Sequence, residues 1–152
     1  MFQVKFALAL LVVATGSLSA ATSESQRRLT PEDIERIATA SAGPGTSGLP
    51  GVRTSVLYGD PTKAGLYTIR LQVAPNTVIQ AHTHKDARTA TVVSGAWHFG
   101  YGGKNVPEAL RTLPAGSFYT EPAGDPHFAR TGPEGAVVLI TGVGPTDTVY
   151  LK

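Results

Sequence analysis

The chain has no cysteine among its 152 residues. That excludes disulfides, thiolate metal ligands and the acylated cysteine of a lipoprotein. It also has no long run of like charge: 13 basic residues stand against 11 acidic ones, and such a balance excludes nucleic acid as an expected partner. No apolar stretch reaches the roughly 20 residues needed to cross a bilayer. The nearest is FALALLVVA, Phe6 to Ala14. Preceded by Lys5 and followed by the small residues TGSLSAA, it has the layout of a secretory signal peptide over residues 1–21, cleaved near Ser19 to Ala21. Arg27 and Arg28 lie after the apolar run, so they are not a twin-arginine signal. The expected localisation is periplasmic or secreted, with no membrane association after cleavage.

About 130 residues remain, enough for one domain with a sizeable core and too few for two. Residues 22–50 read as an arm. LTPEDIERIATA, Leu29 to Ala40, suits a short helix, with Thr30 as its cap, Pro31 in its first turn and Asp33 three residues after the cap. SAGPGTSGLPG, Ser41 to Gly51, is too rich in glycine and proline for regular structure and is expected to free the arm from the rest of the chain. From Val52 the helical period disappears and no internal repeat replaces it. Short alternating runs take over, such as LYTIRLQV, in which Tyr67, Ile69, Leu71 and Val73 alternate with polar partners. Eight to ten such runs over residues 51–152 predict an all-β sandwich or jelly-roll β-barrel.

Two segments of this barrel carry the chemistry. In AHTHKDARTATVVSG, Ala81 to Gly95, His82 and His84 are two residues apart, so an extended strand projects both imidazoles to one face. In GSFYTEPAGDPH, a glycine at 116 is followed after five residues by Pro122, then by Gly124 and His127. The second segment resembles the cupin motif G-x5-P-x-G-x2-H-x3-N, and the first resembles its companion G-x5-H-x-H-x3-E-x6-G through His82, His84 and Gly95. The resemblance covers residues 51–152 and implies a small single-domain cupin: a jelly-roll barrel with one divalent metal ion (Fe, Mn, Ni, Zn or Cu) and a small-molecule substrate or ligand, a homodimer being left open.

Three residues depart from the pattern while the spacing is kept. Asn76 stands for the first glycine, and asparagine tolerates the left-handed backbone of a turn. Thr131 stands for the final asparagine. Arg88 stands for the glutamate that the resemblance makes a fourth ligand, and a guanidinium has no lone pair to give a cation. Three readings are open: His82, His84 and His127 bind the metal alone; Glu121, on the strand leading to His127, supplies the missing carboxylate; or the metal is absent. The first two outweigh the third, because three histidines converging in a barrel have little other purpose.

Strand alternation turns Arg88 inward with Ala90 and Val92, where its charge needs a carboxylate, and Glu121 is the acid placed to pair with it. His98 alternates with Trp97, Phe99 and Tyr101 and is expected to face outward. Tyr101 and Tyr119 are candidates to line the pocket and, with Arg88, to take catalytic roles; core packing is the alternative for each tyrosine. Asp86 and Asp125 read as turn residues. The leading functional expectation is a metal-dependent, iron-type dioxygenase acting on a small oxygenated organic molecule. A non-catalytic binding module and a non-redox isomerase or lyase are the alternatives.

Overall fold

Residues 26–43 and 45–152 are described by the computed structural model, so the expected signal peptide over 1–21 lies outside the described residues. The arm begins as its sequence predicts. Helix α1 spans Pro31–Glu35, with Thr30 Oγ1 accepting from the Asp33 backbone and the Asp33 side chain accepting from the Thr30 backbone. Among the described residues no helix is long and apolar enough to cross a membrane.

Eight strands come after it: β1 (Val52–Tyr58), β2 (Gly65–Val73), β3 (Val78–Thr83), β4 (Arg88–Tyr101), β5 (Arg111–Pro114), β6 (Phe118–Glu121), β7 (His127–Gly144) and β8 (Val149–Tyr150). They form one antiparallel sheet in which β1, β2, β7, β3 and β8 are successive neighbours, while β4 pairs with β5, β6 and β7. Inward residues alternate along each strand: Tyr67, Ile69, Leu71 and Val73 of β2 pack against Val92, Trp97, Val138 and Ile140 in one core. The all-β jelly-roll expectation holds.

Two pairs of predicted runs are single long strands. RTATVVS and AWHFGY join into β4, and HFART and AVVLITGV join into β7. Their pairing slips between Val92 and Ser94 and again between Gly95 and Trp97. Such bulges bend a strand, so β4 and β7 each turn the corner without a loop. Glycine is required there. Gly95 has φ 74°, and a Cβ on it would lie 2.2 Å from the carbonyl oxygen of Gly135. At the other corner Asn76 takes φ 53°, and Thr131 ties that turn by donating to the Ala74 carbonyl and accepting from the Thr77 amide.

The arm is not freed from the barrel. Ala40 and Thr54 exchange both backbone hydrogen bonds, Arg70 pairs with Glu35 at 2.7 Å, and Arg27 donates to the Leu57 carbonyl. The Gly/Pro-rich stretch is likewise held down. Thr46 is buried, its carbonyl accepts from Thr148 Oγ1, and the Ser47 carbonyl accepts from Tyr150 Oη. Glycine and proline remove regular hydrogen bonding, but side-chain hydroxyls from the C-terminal segment replace it.

Candidate metal centre

Strand register brings the chemistry together. His82 on β3 lies directly opposite His127 on β7, and Arg88 at the start of β4 lies directly opposite Glu121 at the end of β6. Opposed residues of an antiparallel ladder share a face. Both pairs therefore point inward, and His84, just past β3, joins them. All five side chains are buried.

The imidazoles form a tight group, with ring centroids 4.8 Å apart for His82 and His84, 4.4 Å for His82 and His127, and 5.1 Å for His84 and His127. Each ring is oriented by a backbone carbonyl. Nδ1 of His82 donates to Gln80 at 2.7 Å, Nδ1 of His84 to Asp147 at 2.5 Å, and Nδ1 of His127 to Asp125 at 3.1 Å. A carbonyl only accepts, so Nδ1 carries the hydrogen in all three rings and Nε2 is left with its lone pair. One ligand nitrogen from each ring lies within 4.8 Å of the others. That is wider than the roughly 3–3.4 Å between nitrogens on one ion at about 2.1 Å, so a small inward movement would close the set. His127 Nε2 is buried with no hydrogen-bond partner. An orphaned lone pair of this kind is what a cation would satisfy, and these residues fit a divalent metal.

Burial also keeps the rings neutral, as ligands must be. Loss of solvent, with His127 nearby, brings His82 down to about 4. Loss of solvent, with the Arg88 charge, brings His84 down to about 3, and burial lowers His127 in the same direction.

Arg88 and Glu121 are in contact. Arg88 Nε donates to Glu121 Oε2 at 2.6 Å, and its Nη2 touches both the same oxygen and His84 Nε2. Burial alone would raise the Glu121 carboxyl, but Arg88, helped by His127 and His84, holds it at about 2. Glu121 Oε2 stands 3.8 Å from His84 Nε2 and 3.7 Å from His127 Nε2. That is close enough for it to share an ion with them.

The cavity at this centre holds about 30 Å³ of space reachable by water, room for one or two molecules. Ile69, Leu71, Phe99 and Ile140 form apolar walls, and Gly45, Thr46, Ser47 and Thr148 also line it. Tyr119 lines it as expected, its ring tilted by 38° against Phe99 with centroids 4.2 Å apart, and its hydroxyl is buried without a hydrogen-bond partner. Burial and the Glu121 charge push that phenol well above its usual range. Tyr101 does not line the cavity. It faces the same way as His127, its ladder partner, but β4 is running out of the barrel there. The ring is 53% exposed, and the hydroxyl donates to the Thr120 carbonyl. His98 is half-buried between Trp97 and Phe99, which point inward, and bonds Thr112 Oγ1.

Sequence reasoning missed Asp86. It is buried, and its carboxylate accepts from Tyr67 Oη at 2.6 Å and Thr146 Oγ1 at 2.5 Å. Thr146 adjoins Asp147, whose carbonyl orients His84, so Asp86 steadies the His84 ring through the backbone. Room for the cluster comes from Gly142, where a Cβ would fall 2.6 Å from Tyr67 Oη. His82, His84, Asp86 and Arg88 are spaced by two, but β3 ends at Thr83 and β4 begins at Arg88, so the strand period carries no signal at Asp86.

Comparison with known proteins agrees with this fold. A family model described as the ChrR cupin-like domain matches residues 37–147. The polyketide cyclase RemF from Streptomyces resistomycificus is 18% identical, with a TM-score of 0.63 over 84% of this chain and 88% of that one. An RmlC-like cupin from Shewanella frigidimarina is 18% identical, with a TM-score of 0.59 over 79% of this chain and 92% of that one. The oxalate decarboxylase of Bacillus subtilis, described with Mn(II) centres, is 18% identical with a TM-score of 0.55; the match covers 78% of this chain and 31% of that one. At such identities these structures establish the fold alone. No curated protein sequence matches the chain.

Proposed function

The chain belongs to the ChrR cupin-like family, and from that premise we propose that it is an exported protein that holds one divalent metal ion on His82, His84 and His127. We further propose that it uses this ion in dioxygenase-type oxidation of a small oxygenated organic molecule. The observation that carries the reading is the orientation of the three rings: every Nδ1 is tied to a carbonyl and every Nε2 turns its lone pair to the centre, where the one on His84 is met by Arg88 Nη2. An iron-type ion held there would supply one-electron chemistry toward dioxygen.

The chain's own residues set the terms of that chemistry. Three neutral nitrogens bring no charge, which favours an anionic substrate oxygen as a further ligand. Tyr119 stays protonated and can donate a hydrogen bond to a substrate oxygen, but it cannot serve as a base near neutrality. Glu121 is engaged by Arg88. Among the described residues the lining therefore offers no free general base, which counts against the isomerase and lyase alternatives. The small cavity favours a second reading, a binding module for a metal or small metabolite.

Metal analysis of protein purified from its native compartment, followed by oxygen uptake of the iron-loaded protein with enediols, flavonoids and diketones, separates these readings. Metal with oxygen consumption supports the dioxygenase. Metal without turnover leaves the binding module, turnover without oxygen restores the isomerase or lyase, and absence of bound metal under all loading conditions removes the proposal. N-terminal sequencing decides export: the mature chain should begin near Ala20 to Thr22, and an intact Met1 on cytoplasmic protein overturns it.

A further inference from the structure

His84 has one lone pair and two claimants. Its Nδ1–H is committed to the Asp147 carbonyl, so Nε2 is the ring's single acceptor site, and Arg88 Nη2 donates to it. A nitrogen lone pair cannot accept a hydrogen bond and bind a metal at once. The same guanidinium also holds Glu121 Oε2, the oxygen near both His84 and His127. His127 Nε2 receives no hydrogen bond from Arg88 or any other described group.

We propose that Arg88 is a built-in competitor for the metal: its guanidinium occupies the cation position between His84 and Glu121, and metal loading requires it to give up His84. This rests on the metal-site reading and deepens it, assigning Arg88 a positioning role that sets affinity and ligand number. Burial works against the charge on Arg88, but the Glu121 carboxylate paired with it outweighs burial and keeps the guanidinium protonated, so it cannot yield by deprotonation and must yield by moving. The movement is small. The Nε–Oε2 bond is compatible with Nη2 turning away from His84, so the buried ion pair survives and no isolated charge is created.

The competitor has two effects. It fills the opening between histidines whose ligand atoms are up to 4.8 Å apart, which keeps them arranged when no metal is bound. It also withholds Glu121 from the metal, leaving a site of three neutral ligands where removal of Arg88 would give a fourth, charged one. Weakly loaded metal and positions open to exogenous ligands are consequences of the second effect.

The test is competition titration of Zn²⁺ and Co²⁺ against a chromophoric chelator, with the intact chain, Arg88→Met and His127→Ala. Arg88→Met should bind roughly 10- to 100-fold more tightly, the range over which groups beside a ligand tune affinity, and the Co²⁺ absorption should change as Glu121 joins the ligands. His127→Ala should lose binding. If Arg88→Met binds no more tightly while His127→Ala loses the metal, the competitor is overturned and the metal site stands. If His127→Ala binds like the unaltered chain, the metal site itself falls and the competitor with it. Should Arg88→Met fail to fold with Glu121 unpaired, the intact chain decides: on Zn²⁺ binding the Arg88 side-chain Nη–H resonances must shift, and unmoved resonances in a zinc-loaded protein overturn the inference.

Discussion

Asp86 should be among the most costly residues to truncate, although its local sequence suggests only a turn. Its carboxylate takes two hydrogen bonds, from Tyr67 at 2.6 Å and Thr146 at 2.5 Å, and all three residues are buried. A hydrogen bond to a charged group contributes about 1.5–3 kcal/mol, and an orphaned buried donor costs about 1–3 kcal/mol. Asp86→Ala loses both bonds, orphans the Tyr67 hydroxyl and leaves Thr146 Oγ1 only a long 3.5 Å contact with the Asp147 carbonyl, while relieving the burial of one carboxylate. The net loss should be about 3–5 kcal/mol, a large share of the 5–15 kcal/mol that holds a typical domain folded. Urea unfolding with an unchanged m-value measures it. The mechanism makes a second demand. Tyr67→Phe removes one of the donors that Asp86→Ala would orphan, so the double variant should lose at least about 1 kcal/mol less than the sum of the singles. Additive effects, or an Asp86→Ala loss under about 1 kcal/mol, would refute the argument. Asp86→Ala should also weaken metal binding, because Thr146 anchors the segment whose carbonyl orients His84.

Without metal, acid should destabilise the fold. His82 at about 4 and His84 at about 3 lie below the ordinary imidazole value of 6.5, so the unfolded chain binds more protons between those limits. Their stabilisation is complete above pH 6.5 and is lost as pH falls toward 4, by roughly 1 kcal/mol per pH unit for each ring; denaturation of chelator-treated protein at pH 8, 6 and 5 reads this, and a flat profile contradicts it. Gly95→Ala forces a Cβ to within 2.2 Å of a backbone oxygen at φ 74° and should cost more than about 2 kcal/mol in the same assay. His98→Ala and Tyr101→Phe lie outside the centre and should leave Zn²⁺ affinity within about twofold by calorimetry; a tenfold loss in either would show that the centre extends further than its geometry indicates. A twofold change is about 0.4 kcal/mol, the scale of ordinary surface substitutions.

The legible parts of the sequence were those governed by local period and motif spacing. Alternation placed Tyr67, Ile69 and Leu71 in the core and turned Arg88 inward, and the spacing of His82, His84 and His127 anticipated a cluster that depends on β3 pairing with β7. What stayed hidden depends on contacts between distant segments. The Ser41–Gly51 stretch carries every mark of a free linker, and nothing within it shows that Thr148 and Tyr150, about a hundred residues on, will hold its carbonyls. Tyr101 satisfied the alternation rule and still missed the cavity, because a period fixes the face of a strand and not where the strand leaves the barrel. Asp86 was hidden for the opposite reason: outside any strand, it owes its burial to Tyr67 and Thr146.

The replacement of the motif glutamate by Arg88 has a structural account in the same register. Position 88 lies directly across the ladder from Glu121, and neighbouring strands are about 4.8 Å apart. The site therefore keeps one inward carboxylate, carried on β6 and not on β4. Because the distance is one strand spacing, a glutamate side chain can still bring an oxygen within 3.8 Å of His84 and 3.7 Å of His127. A cation on β4 is the natural consequence, since a second carboxylate opposite the first would be repelled and an apolar residue would leave Glu121 buried and unpaired. On this view the arginine and the displaced carboxylate are one feature. Metal affinity at the three histidines is then governed by how firmly that pair holds together and not by the histidines alone.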